Sequence, residues 1–191
     1  GAYLLYRKSF PGQGIVKALI TVPFVLPSIV VAVGFTVFRN AHDFWIDLGL
    51  TFLSDPVYWI IGAHVFVNYS IAVRTVGGVW ATMDSEIEEA AELDGAGRLK
   101  TLLAISLPQL RPAIFSAAAL VFLFSVTSFG IVLVLGGGQV QTIETAIYFS
   151  ATQFLDLEAA AALVLIQTLI TAAAFLVGSS LAKGTVGLEQ V

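Results

Sequence analysis

The chain has 191 residues, 58% hydrophobic and 12% charged, with a formal net charge of −4 and no cysteine. Soluble domains carry about 25% charged residues and disordered chains are poor in apolar ones, so both classes are excluded. A mean hydropathy of +0.92 leaves integral membrane protein. The negative balance argues against a nucleic-acid partner. The lack of cysteine excludes a disulfide framework, a thiolate metal site and a thiol nucleophile.

The sequence opens on Gly1, and residues 1–6 read as the last turns of an apolar segment begun earlier. A membrane-crossing helix needs roughly 20 apolar residues. Four stretches qualify: residues 18–38, 56–73, 113–135 and 159–181. No alternating strands are visible, so the expected fold is an all-α polytopic helix bundle rather than a β-barrel. The expectation is four complete spans plus the end of a truncated one, forming a single transmembrane domain over residues 1–191.

A charged loop, about residues 82–112, separates the second and third spans. It carries Glu86, Glu88, Glu89, Glu92, Asp94, Arg98 and Lys100. At roughly 3 kcal/mol per charge at the bilayer centre, these would cost about 20 kcal/mol in lipid, so the loop sits in water or against a protein. Alternating crossings put Arg7, Lys8, Lys17, Arg74, Arg98, Lys100, Arg111 and Lys183 on one side and only Arg39 on the other. By the positive-inside rule, residues 74–112 are cytoplasmic. Tyr58, Trp59 and Trp80 fit aromatic belts at the interfaces. On the outer side, Gly136-Gly137-Gly138 breaks the third helix, and residues 142–157 read as a short amphipathic helix at the membrane surface.

Within the loop, Ser85 and Glu88 fit a capping box, and Gly95 reads as a left-handed stop. A second helix, about residues 98–106, is expected to end before Pro108. Small residues at Ala90, Ala91, Gly95, Ala96 and Gly97 leave a low surface that a partner could approach closely.

Residues 89–108 read Glu-Ala-Ala, three residues, Gly95, nine residues, Ile105, one residue, Leu107-Pro108. This resembles the EAA loop of the membrane subunits of binding-protein-dependent ABC importers, the type I permease family. The resemblance implies that Glu89, Ala90, Ala91 and Gly95 form a coupling helix that docks on an ATP-hydrolysing subunit. It implies that Ile105, Leu107 and Pro108 anchor this helix to the next span. The segments at residues 7–12, 62–68 and 136–148, with the Pro23–Pro27 pair, look like the iron(III)- and thiamine-type branch, whose members often fuse two such halves. This chain resembles a first half. A half in that family has at least five spans, so one is expected before Gly1. The resemblance also implies the partners: a pair of cytoplasmic ATP-binding subunits, an external substrate-binding protein and a second permease half. It implies a bacterial or archaeal cytoplasmic membrane. ATP and magnesium would sit on the partner ATPase, because the chain has no GxxxxGK[ST] loop and binds no cofactor of its own.

Polar residues inside the spans are few. Pro23 and Pro27 are four apart and each is expected to kink the helix. His64 and Asn68 are also four apart and share a face, which suits hydrogen bonding between helices first and a pathway second. A lone His without carboxylate or Cys neighbours is a poor metal site, so none is expected. Ser125, Thr127 and Ser128 cluster in span three. They serve close packing or, with Asn68, line a route; Asn68, Ser125 and Ser128 are the pathway candidates. No ionisable residue lies deep in a span, which weakens the alternative of a secondary transporter with the charged loop as a mere linker. A catalytic role for His64 with Ser70 is disfavoured, since six residues separate them and they point apart on one helix.

Overall fold

The computed structural model describes residues 1–186. Eleven α-helices occur there: α1 Ala2–Arg7, α2 Gln13–Val25, α3 Ser28–Arg39, α4 His42–Asp47, α5 Pro56–Thr82, α6 Ser85–Leu93, α7 Arg98–Thr101, α8 Leu107–Val126, α9 Gly130–Gly136, α10 Ile143–Thr152 and α11 Leu157–Val186. A 3₁₀ turn, Thr51–Ser54, precedes α5, and a π-helical turn, Leu102–Ser106, joins α7 to α8 without a break. No strand occurs among the described residues. The Lys183 side chain and residues 187–191, part of the predicted third inner segment, lie outside the described residues.

α5 is the hub. Asp55 starts it by accepting the Val57 amide at 2.8 Å, and Pro56 occupies the first turn, where a missing N–H costs nothing. α1, α2, α3, α8 and α9 all pack on it. A third (33%) of its apolar window is buried, against 11% for Leu157–Gly178, so that stretch of α11 stands at the periphery with most of its side chains turned outward. Three unbroken helices are long and apolar enough to cross a membrane: Pro56–Thr82, Arg98–Val126 and Leu157–Gly178.

The first predicted span, 18–38, is not one rod. α2 and α3 meet at a bend of 100°. The cause is local. Pro27 offers no N–H and its ring collides with the carbonyl four residues back, while Leu26, preceding it, is forced into extended backbone at φ −69° and ψ 139°. Pro23, by contrast, stays inside α2. The pair still runs the length of α5. Lys17 and Thr21 border a cavity with Val73 and Arg74 of its C-terminal half, whereas Val31 and Ala32 join Trp59, Ile60 and Ala63 of its N-terminal half in the main apolar core.

The third predicted span, 113–135, is also interrupted. Its helix begins at Arg98 and ends at Val126, and α9 continues separately. Thr127 donates its hydroxyl to the Leu123 carbonyl at 2.9 Å, and the Ser128 amide turns back to the Ser125 carbonyl at 3.2 Å. Such local bonds compete with helix continuation. The two interruptions touch. A Cβ on Gly130 would lie 2.6 Å from Ser28 Oγ and 3.1 Å from the Ile29 nitrogen, so only glycine lets α9 start against the start of α3. Arg39 then bonds the Leu135 carbonyl, closing the far ends of α3 and α9.

The expected surface helix at residues 142–157 is shorter and deeper. α10 packs along α11, Thr145 is buried, and Glu144 Oε1 accepts from Gln167 Nε2 at 3.3 Å. Gln167 lies midway along Leu157–Gly178, so the Glu144 carboxylate of α10, itself outside the candidate spans, packs against the middle of that helix. A one-dimensional amphipathic pattern does not distinguish a face toward lipid from a face toward another helix.

Candidate functional site

Two arrangements stand out, one in the charged loop and one at the helix breaks. In the loop, α6 ends as the sequence implies. Gly95 has φ +85°, the Asp94 amide bonds the Ala90 carbonyl at 3.0 Å, and the Ala96 amide bonds the Ala91 carbonyl at 2.9 Å. Glu89, Ala90 and Gly95 are exposed, and Ala91 is half-buried. Exposed apolar side chains accompany them: Ile87, Leu93, Leu99 and Leu103. Leu99 and Leu103 line a shallow groove with Gly97, Arg98, Lys100 and Ala104.

The predicted helix end before Pro108 does not occur. The backbone passes through a π-helical turn at Leu102–Ser106 and continues into α8 with Pro108 in its first turn and Pro112 inside it. A π turn places wider spacing where the proline ring and missing N–H would break a regular α ladder. Ile105 sits in this turn and Leu107 opens α8. Ile105 and Pro108 are half-buried and Leu107 is partly exposed.

The expected Ser85–Glu88 box is replaced. Asp84 Oδ1 accepts the Glu86 amide at 2.9 Å. The Glu88 carboxylate is thereby free to turn inward. Its Oε2 pairs with Arg7 at the end of α1, and its Oε1 accepts the Ser106 hydroxyl at 2.6 Å. Arg7 also donates to the Met83 carbonyl at 3.1 Å. Partial burial pushes the Glu88 carboxyl up, but the Ser106 hydroxyl, the Arg7 guanidinium and the nearby Trp80 indole outweigh it and hold it below the ordinary value of 4.5. Sequence reading missed this node, since 81 residues separate Arg7 from Glu88.

At the helix breaks, Asn68 is buried midway along α5, and its Nδ2 donates to Ser125 Oγ at 3.4 Å. Asn68 borders two cavities. One, of about 500 Å³, has His64, Ser125 and Thr142 among its lining residues. The other, of about 410 Å³, has Ser28, His64, Ser128 and Gly130. The three pathway candidates therefore surround one region. His64 donates Nδ1–H to the Ile60 carbonyl at 2.8 Å. That tautomer leaves Nε2 as an acceptor. His64 Nε2 and Asn68 Oδ1 are both buried without a hydrogen-bond partner. Gln167 and Arg39 each bond a backbone carbonyl at a helix end; Gln167 was not singled out from sequence, and Arg39 only as the one basic residue of the outer side. Gln at a mid-span position was the available signal for the first. Among the described residues, no three His, Cys, Asp or Glu side chains are grouped to hold a metal.

Residues 1–185 match the family described as binding-protein-dependent transport system inner membrane component. The chain belongs to that family. It is 33% identical over 139 residues to the sulfate transport system permease protein CysT of Salmonella typhimurium, covering 71% of this chain and 50% of that one. It is 34% identical over 178 residues to the thiamine transport system permease protein ThiP of Brucella suis, covering 89% of this chain and 33% of the relative. The molybdate/tungstate transport system permease protein WtpB of Pyrococcus abyssi is 32% identical over 133 residues, 69% of this chain and 49% of its own. The chain thus spans half or less of the length of these curated relatives. All three relatives are named as permease proteins of transport systems. A crystal structure of a bacterial ABC transporter involved in importing the acidic polysaccharide alginate shares the fold, with a TM-score of 0.69 at 16% identity over 95% of this chain and 70% of the other. The family assignment makes the chain a multi-pass inner-membrane protein.

Proposed function

We propose that this chain is the membrane-spanning part of an ATP-driven importer permease, with α6 as the helix through which a separate cytoplasmic ATPase drives it. One observation carries the reading. In a chain of this family, a charged segment between the candidate spans carries Glu89, Ala90 and Gly95 in the open, beside the exposed apolar side chains Ile87 and Leu93. A solvated linker has no use for such side chains, whereas a docking surface does. The π turn containing Ile105, with Leu107 and Pro108 beyond it, anchors this element to α8. ATP and magnesium belong to the ATPase pair. An external binding protein delivers substrate, and a second permease half covers the outward face of α11. Residues 74–112 face the cytoplasm. ATP binding favours one arrangement of the helices over another, and the substrate passes by differential stabilisation of the two.

The pathway passes Asn68, Ser125 and Ser128. For the substrate class, the relatives support sulfate-, molybdate- or thiamine-type cargo. Thiamine, expected from the sequence branch, keeps the support of a relative that covers 89% of this chain. Iron(III) gains no support from the three relatives described.

Residues 1–191 hold no cysteine, so Glu89→Cys gives the one thiol attachment point within them. In the assembled transporter in vesicles, a cross-linker at that position should capture the ATPase in resting and in ATP-loaded states. No capture in either state refutes the assignment.

A further inference from the structure

The Glu88 node joins four pieces of chain that are distant in sequence. Arg7 ends α1. Met83 follows α5. Glu88 belongs to α6, and Ser106 to the π turn that leads into α8. Every one of these bonds converges on two side chains. Both carboxylate oxygens of Glu88 accept a hydrogen bond, and Arg7 holds both the carboxylate and the Met83 carbonyl. Charge-assisted bonds of this kind are the strong ones, and both side chains are largely shielded, with 14% and 19% of their surface exposed. The node is also tied further back. Leu5 is buried, Tyr3 packs on Trp80 with ring centroids 5.4 Å apart, and Gln13 Nε2 donates to the Leu5 carbonyl at 2.7 Å and to the Lys8 carbonyl at 3.0 Å. Gln13 is the first residue of α2, the helix that ends at the Pro27 break. A continuous set of bonded contacts therefore leads from α6 through Arg7 to the start of the broken crossing.

We propose that Arg7 and Glu88 are positioning residues that clamp α6 to the α1–α2 elbow and to the π turn, so that a displacement of α6 moves both crossings that meet at Gly130. Arg7 touches neither substrate nor nucleotide; it acts through Glu88. The proposal rests on the reading of α6 as the ATPase-coupled helix. Glu89, one residue on, points to the exposed side and meets the ATPase, while Glu88 faces the bundle. The neighbouring pair of glutamates thus divides the work: one holds the engine and the other holds the pore.

The test uses the complete transporter, reconstituted in vesicles with its ATPase and binding protein. ATP hydrolysed per substrate imported is measured for wild type, Arg7→Gln, Arg7→Lys and Glu88→Gln. Cross-linking from Glu89→Cys to the ATPase is read in each background. The neutral variants should raise the ratio about tenfold, within the usual range of coupling between sites, with the cross-link intact. Arg7→Lys should restore part of the loss. A purely structural role would lower the amount of assembled transporter and leave the ratio of the surviving molecules unchanged, and that outcome overturns the proposal. A second measurement does not depend on these variants folding. Spin labels at the exposed positions Lys8→Cys and Glu86→Cys should keep one distance with and without ATP, because the clamp moves as a body. A distance that differs between the two states overturns the clamp while leaving α6 as the docking helix. Absence of the wild-type cross-link overturns both.

Discussion

The cytoplasmic node and the junction at the helix breaks are built from similar materials and finished differently. Each gathers polar side chains from several helices at an interruption of regular structure. At the node, both Glu88 oxygens are engaged and Arg7 is doubly bonded. At the junction, His64 Nε2 and Asn68 Oδ1 have no hydrogen-bond partner, one long bond of 3.4 Å joins Asn68 to Ser125, and two cavities flank the group. The node spends its charged groups on rigidity. The junction leaves its polar atoms facing the cavities, which is what a passage needs and a clamp does not.

The largest effect should come from separating the loop from its partner. Gly95→Arg puts an L residue at φ +85°, a strain of about 1–2 kcal/mol, and raises a long side chain beside Ala90 and Ala91. Uptake should be lost while the chain remains inserted and the ATPase still hydrolyses ATP. Uptake at wild-type rate would break the docking assignment.

Next is the junction itself. Gly130→Ala drives a methyl into Ser28 and Ile29, and should destabilise the folded chain by about 1–3 kcal/mol in detergent unfolding. Gly34→Ala in α3 is the matched control. Nothing lies within 4 Å of that position, so the same change there should be neutral or stabilise by about 0.5–1 kcal/mol. Equal effects at the two glycines would mean that the breaks do not bear on each other.

These residues also show how much the sequence revealed. Composition and hydropathy specified the bundle, since lipid admits few other solutions. The Gly95 stop was legible because left-handed backbone is a local property. The break at Pro27 was half legible: proline chemistry marked both Pro23 and Pro27, but nothing in the spacing says that Pro23 stays inside α2 while Leu26, before Pro27, turns extended. The third crossing looked continuous because Thr127 and Ser128 are mild helix breakers whose effect depends on Gly130 meeting Ser28. The node was invisible. Glu88 matched a local capping pattern, and its actual partner sits at the far end of another helix, where no spacing rule reaches. Asn68, Ser125 and Ser128 were found as types but not as neighbours, because the register between α5 and α8 is a tertiary fact.

A smaller effect sharpens the difference in function between the two regions. Asn68→Leu removes an under-satisfied amide, so folding stability should change by no more than about 1 kcal/mol. Uptake should nonetheless fall several-fold, with Ser125→Ala milder, in transport assays at unchanged ATPase coupling. If Asn68 only packs helices, uptake and stability will move together.

The smallest effect concerns the node in acid. Glu88 is held below 4.5 because the Ser106 hydroxyl, Arg7 and Trp80 together outweigh the upward push of burial. A depressed value in the folded chain means that the unfolded chain binds the proton more readily. The node's contribution is therefore complete above the ordinary glutamate value and disappears as pH falls through the lower folded one. The stability difference between wild type and Glu88→Gln, measured by thermal unfolding, should be flat above about pH 6 and shrink below 4.5. Acid protonates Glu88, leaves Arg7 charged against a neutral group, and brings the two proteins together. A difference that grows on acidification would mean that Glu88 carries its proton in the folded chain, which neither the Arg7 pairing nor the Ser106 bond allows.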